Sequence, residues 1–139
     1  MYKHNNNKTA LTSQNMISQA LFELLETKAF TDISVTEICN KAGVGRKTAN
    51  IIIGDVYGKP AVVTDTHCIR ISNRLGLIPD SSKDPYKVEL ALSAIVEPAE
   101  QAPLCHRFVH FGRDICTARS PKCDRCPLRE LCTQVSKDS

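Results

Sequence analysis

Cys116, Cys123, Cys126 and Cys132 are separated by six, two and five residues. Four thiolates in one short loop can close around a single metal centre, either a structural zinc ion or an iron–sulfur cluster. Spacing alone does not decide between the two. Arg113, Arg119, Lys122, Arg125 and Arg129 surround the cysteines. A metal-pinned loop carrying so many cations suits a partner made of phosphates. Far upstream, Gly43-Val44-Gly45 stands between two helical segments. Glycines let the backbone turn sharply and let a phosphate come close, and the dipole of the following helix favours an anion there. The same tripeptide also serves as a plain helix–helix turn. Lys47 falls in the first turn of that second helix, where a cation is out of place. A nucleophilic lysine must be neutral to react, and Asp65, eighteen residues on, could orient it or stabilise a developing cation. The plainer alternative is a solvated lysine and a helix-capping aspartate.

These groups need elements to hold them. The chain has 139 residues, 42% hydrophobic and 24% charged, which fits one domain or two small ones of ordinary globular type. Residues 1–11 are polar and Asn-rich, and read as a disordered leader. Thr12 can cap a helix with Ile17, Ala20, Leu21, Leu24 and Leu25 on one stripe. Phe30 and Ile33 lie in a connection, and Ser34 with Glu37 forms a capping box for a short helix ending near Lys41. The helix from Arg46 is expected to run until Gly58 and Pro60 stop it. Ala61-Val62-Val63 is extended and too short to imply a sheet. Asp65 or Thr66 caps a helix carrying Ile69, Ile71 and Leu75. Asp84-Pro85 opens another with Val88, Leu90, Ala91, Leu92 and Ile95. Pro98 and Pro103 are expected to bracket a linker before a helix from Leu104 to Phe111 that Gly112 ends. The class is all-α.

The net charge of +3 is too small to name a partner by itself. Its distribution says more. Residues 1–42 balance four Lys/Arg against four Asp/Glu, and residues 43–139 hold fourteen against eleven. Aromatics are 5% with no Trp, so base stacking would have little aromatic help. Seven cysteines, an odd count, argue against a disulfide framework, and thiolates that bind metal point to the reducing cytosol. Cys39, Cys68 and Cys105 are expected to be packed as small hydrophobes, and His67, His106 and His110 to be structural or solvent-facing. No apolar run approaches the ~20 residues of a membrane span.

From Gly43 to about Cys132 the chain resembles the endonuclease III family of helix-hairpin-helix DNA glycosylases. The matching stretches are Gly43-Val44-Gly45-Arg46-Lys47-Thr48-Ala49-Asn50, then Asp65-Thr66-His67, then the four cysteines. The resemblance implies that Lys47 is the nucleophile, that Asp65 is its acidic partner, and that the cysteines hold a [4Fe–4S] cluster instead of zinc. It implies a partner in double-stranded DNA with a damaged base or an abasic site. Gly43, Val44, Gly45 and Arg46 would grip the backbone on one side, and Arg119, Lys122 and Arg125 on the other. An oxidised pyrimidine would be flipped out and displaced by Lys47 at the sugar C1′, and the Schiff base would allow β-elimination. The expected protein is a bacterial-type cytoplasmic monomer, with no membrane association.

The first 42 residues depart from that family, whose members carry most of a six-helix barrel before the turn. Lys41-Ala42 stands where Leu-Pro usually precedes it. Residues 12–48 are similar instead to the helix-turn-helix of tetracycline-repressor-type regulators, through Ala20-Leu21-Phe22-Glu23-Leu24-Leu25, Val35-Thr36-Glu37-Ile38-Cys39 and Ala42-Gly43-Val44. The expected domains are therefore a leader (1–11), a helix-turn-helix-like head (12–42), a partial glycosylase helical domain (43–112) and a cluster loop with tail (113–139). Two alternatives follow: a DNA-binding module without catalysis, or a chain whose lost barrel helices expose Ile51, Ile52 and Ile53. Of the enzymatic activities, lyase action on an abasic site is the one expected to survive, since it needs no base pocket.

Overall fold

The structure, a computed structural model, describes residues 8–137, with side chains from residue 11 to residue 135. All regular elements among them are helical. The chain divides into two compact units, 1–59 and 60–139. The division therefore falls after Lys59, where the sequence places a boundary at residue 42.

In the first unit, α1 spans Lys8–Leu25, a 3₁₀ turn Phe30–Asp32, α2 Val35–Ala42 and α3 Arg46–Asp55. The expected leader is thus helical from Lys8, ahead of the Thr12 cap, and its first seven residues lie outside the described ones. Ile17, Ala20 and Leu21 of α1 meet Ile33, Ile38 and Ala42 and the Ala49, Ile52 and Ile53 side chains of α3. Helical spacing puts each set on one face, and burial of those faces holds the three helices together. Ile53 is 1% exposed and Ile52 9%, and Ile51 is half-buried. The expectation that these isoleucines would be exposed is therefore wrong: α1 and α2 supply the cover.

Local signals fix the ends. The Ser34 hydroxyl accepts from the Glu37 amide at 3.1 Å, and the Glu37 carboxylate accepts from the Ser34 amide at 2.9 Å, completing the capping box. Lys28 also donates to Glu37, and that bond, with the Ser34 amide, holds the Glu37 carboxyl down at about 2. Gly43 ends α2 at φ 69°, a left-handed conformation that suits glycine. α3 stops at Asp55, before Gly58, and the tail folds back. Tyr57 and Ser18 share a 2.6 Å hydrogen bond, while Lys59 lies over the Phe30 ring and donates to its carbonyl at 3.0 Å.

Near the start of the second unit, Ala61 and Val62 are buried in a stretch outside any helix. Then come α4 (Thr66–Arg74), α5 (Pro85–Ile95) and α6 (Pro98–Asp114), followed by 3₁₀ turns at Cys123–Arg125 and Arg129–Leu131 and the short α7 (Thr133–Lys137). Its core gathers Val62, Cys68, Ile71, Ile78, Val88, Leu92, Cys105 and Phe108. On α5 only part of the expected stripe is used, since Leu90 is 51% and Ile95 60% exposed.

The linker expected between Pro98 and Pro103 is instead the first part of α6. Pro98 opens the helix, where its missing N–H costs nothing. Gln101, buried, donates to the Val96 carbonyl at 3.2 Å and secures that end to the end of α5. The anchoring offsets the one hydrogen bond that Pro103 removes. Gly112 does not end the helix either. It lies inside α6 where α4 crosses, and a Cβ there would collide with the His67 ring and stand 2.9 Å from the Arg70 guanidinium.

Candidate metal centre and phosphate turn

The cysteine loop is built from tight turns that each close on a cysteine. At the end of α6 the Cys116 amide bonds the Phe111 carbonyl at 2.8 Å, and the Lys122 amide closes the neck on Ile115 at 2.9 Å. Cys126 then bonds back to Cys123, Arg129 to Cys126 and Cys132 to Arg129, each at 3.2 Å. Such i→i+3 bonds reverse the chain every few residues, which spreads Cys123, Cys126 and Cys132 around one hollow.

All four cysteines line a single cleft of about 770 Å³, together with Arg74 of α4 and Phe111 of α6. Among the described residues no three His, Cys, Asp or Glu side chains are drawn together as ligands of one ion. A donor set made entirely of thiols around a shared hollow suits a zinc ion or an iron–sulfur cluster, since both take Cys₄ ligation. The same thiols hold no disulfide. Cys68 and Cys105 are buried in the core and Cys39 packs against the other one, as expected of small hydrophobes. His106 and His110 are exposed, and His67 shares a 3.0 Å hydrogen bond with Arg70.

Two residues absent from the sequence-based site hold this loop. Arg70 donates to the Cys116 carbonyl at 2.9 Å and to the Gly112 carbonyl at 3.2 Å. One turn later Arg74 donates to the Cys116 sulfur at 3.2 Å, the Thr117 carbonyl at 2.8 Å and the Ala118 carbonyl at 3.0 Å. Thr133 reaches back to the Arg74 carbonyl at 2.8 Å. A signal existed: two arginines four residues apart share a helix face, directly after the Asp65-Thr66-His67 run. Nothing in local sequence says that the carbonyls they need come from more than forty residues away.

The expected loop cations divide by role. Arg119 and Arg125 are exposed, and exposed Lys122 donates to the Asp114 carbonyl at 2.9 Å. Arg129 pairs with Asp124 at 3.0 Å.

In the first unit, Gly45 opens α3 without a side chain to cap it. Its φ of −67° is ordinary, and a Cβ built there would have nothing within 4 Å. Nothing inside the unit demands glycine at 45, whereas the φ of Gly43 does. Arg46 is tied back to Thr36 at 2.6 Å, and Lys47, exposed, sits in the first turn of α3. Asp65 belongs to the second unit. It is the N-cap of α4, one carboxylate oxygen accepting from the Cys68 amide at 2.8 Å. Lys47 and Asp65 therefore lie in different units.

Comparison with known proteins agrees with the donor set. Residues 116–132 match the iron-sulfur binding domain of endonuclease III. Endonuclease III of Bacillus subtilis strain 168 is 41% identical over 102 residues, which are 73% of this chain and 46% of that protein. The Buchnera aphidicola enzyme of the same name is 37% identical over 122 residues, 86% of this chain and 56% of its own. Among solved structures, a trapped endonuclease III–DNA covalent intermediate, an estranged-adenine complex, matches at 36% identity and a TM-score of 0.66. It covers 88% of this chain and 58% of its own. A non-covalent endonuclease III–DNA complex matches at 35% identity with the same score. This chain spans about half the length of the curated relatives it matches. An alignment of 122 residues is longer than residues 43–139, so the similarity runs into the head. The cofactor these likenesses support is an iron–sulfur cluster and not zinc.

Proposed function

We propose that this chain acts in base-excision repair as an endonuclease III-like DNA glycosylase and AP lyase, with cleavage of abasic sites as its principal activity. The observation that carries the proposal is a loop of four thiols matching an iron–sulfur domain, downstream of an uncapped helix with Lys47 in its first turn. Relatives at about 40% identity bear the name endonuclease III, and the structural neighbours hold DNA, one of them covalently.

In this proposal the amine of Lys47 attacks C1′ of the opened sugar, and water leaves as the Schiff base forms. Loss of the C2′ proton then expels the 3′ phosphate. Asp65 stabilises positive charge on the sugar. The helix start at Gly45 takes a backbone phosphate in place of a side-chain cap. Arg119, Lys122 and Arg125 contribute charge to the same backbone. The cluster supplies a rigid loop, with Cys116, Cys123, Cys126 and Cys132 holding it. A bacterial-type cytoplasm is the proposed setting, and the need to keep four thiolates reduced supports a reducing compartment.

Borohydride trapping on DNA with an abasic site tests the proposal. A covalent adduct is expected with the intact chain and none with Lys47→Gln. An adduct that survives Lys47→Gln would remove the lysine from its role. Sequence-selective binding to undamaged duplex, without any adduct, would favour a non-catalytic DNA-binding module of regulator type instead. The similarity running through the head argues against that module.

A further inference from the structure

Arg74 touches both outermost cysteines of the loop. Its guanidinium stands 3.2 Å from the Cys116 sulfur, and its own carbonyl is 3.4 Å from the Cys132 sulfur. The side chain also gathers the Thr117 and Ala118 carbonyls, so three acceptors converge on one planar fork. Arg70, one turn earlier on α4, holds the same neck differently. Its bonds go to the Cys116 and Gly112 carbonyls and to His67, with no bond to a sulfur. The two arginines thus do separable things to one loop.

We propose that Arg74 sets the electron affinity of the iron–sulfur cluster, by donating a charged hydrogen bond to the Cys116 thiolate, and keeps the ends of the loop in ligand-binding register. The proposal rests on the cluster assignment and adds a residue to it. As a ligand, Cys116 is a thiolate, and a guanidinium that never loses its proton withdraws density from that sulfur. Hydrogen bonds to cluster sulfurs are among the levers that set reduction potential. A donor of positive charge favours the more electron-rich cluster, so it raises the potential and makes the cluster harder to oxidise. Cys132 as a ligand has no proton to give the Arg74 carbonyl, and the Thr133 hydroxyl, 2.8 Å away, keeps that carbonyl capped.

The test compares full-length wild type with Arg74→Met, Arg74→Lys and Arg70→Met, all purified without oxygen. The measurements are iron per chain, the midpoint potential by film voltammetry, and the rate at which a chelator bleaches the visible absorption. Arg74→Met is expected to have a more negative potential and to lose iron about tenfold faster, the usual scale for an outer partner of a metal ligand. Arg74→Lys keeps the charge without the fork and should recover part of the potential. Arg70→Met should speed iron loss while leaving the potential at the wild-type value. A potential unchanged in both Arg74 variants overturns the proposal, as does an equal shift in Arg70→Met. If Arg74→Met holds no iron, the Arg74→Lys potential decides. A wild type that binds zinc and no iron overturns the cluster assignment and this proposal together, an outcome told apart by the metal content.

Discussion

At the scale of single residues, the two glycines of the turn separate folding from binding. Gly43 is left-handed, so Gly43→Ala should destabilise the first unit by about 1 kcal/mol. Gly45 has an ordinary φ and empty space around it, so Gly45→Ala should cost only the roughly 0.5 kcal/mol by which Gly is the better N-cap. On the proposed function, the same change should weaken binding to abasic DNA, because the added methyl group would stand where the phosphate is proposed to sit. Thermal melts and fluorescence anisotropy with labelled DNA read the two effects separately. The core thiols give a second prediction. A hydrogen bond with Cys105, and then burial, push the Cys68 thiol far above the usual cysteine range. It stays protonated and unreactive at neutral pH. Alkylation followed by mass spectrometry should label the four loop cysteines once iron is stripped, and leave Cys68 unlabelled until the unit unfolds.

At the scale of elements, capped helix starts were legible, whereas the starts of α1 and α6 were not. Ser34 with Glu37, Asp65 and Asp84 are all N-caps, as their residue types announce, because a cap is a bond between near neighbours in sequence. Ser34→Ala should cost about 1 kcal/mol in the first unit by chemical denaturation. Glu37 adds a pH dependence. Its carboxyl sits at about 2 in the folded chain against an ordinary 4.5, so its contribution is complete above about 4.5 and is lost as pH falls toward 2. Glu37→Gln should flatten that part of the acid unfolding curve. Pro98 and Pro103 misled because proline signals are local, and Gln101 overrides them through bonds to the end of α5. The cysteine ligands were legible from spacing, whereas the Arg70 and Arg74 bonds that hold them span more than forty residues and leave no local trace.

At the scale of the whole molecule, there are two cores and one metal loop. The first unit buries its own apolar set, and all four cysteines proposed to hold the cluster belong to the second. Stripping iron should therefore lower hydrogen-exchange protection in α4 and α6 and leave the amides of Ile17, Ile38 and Ile53 as protected as before. Loss of protection in both units would show that the cluster supports the entire chain. The two compact units divide after Lys59, a different division from the one at residue 42 that family likeness draws between head and glycosylase-like part. α3, which opens on the Gly43-Val44-Gly45 turn, buries its apolar face against α1 and α2.

The bond between Thr133 and the Arg74 carbonyl also has a meaning in time. Fifty-nine residues separate its two ends, so at ~5–20 residues per second a ribosome needs roughly 3–12 s to make the second after the first. During those seconds the end of α4 waits without the hydroxyl that finishes it, and the thiols made in that interval are offered to solvent one by one. In the proposed assignment the fourth thiol, Cys132, is made one residue before Thr133, so the full ligand set and the bond that finishes α4 become available together.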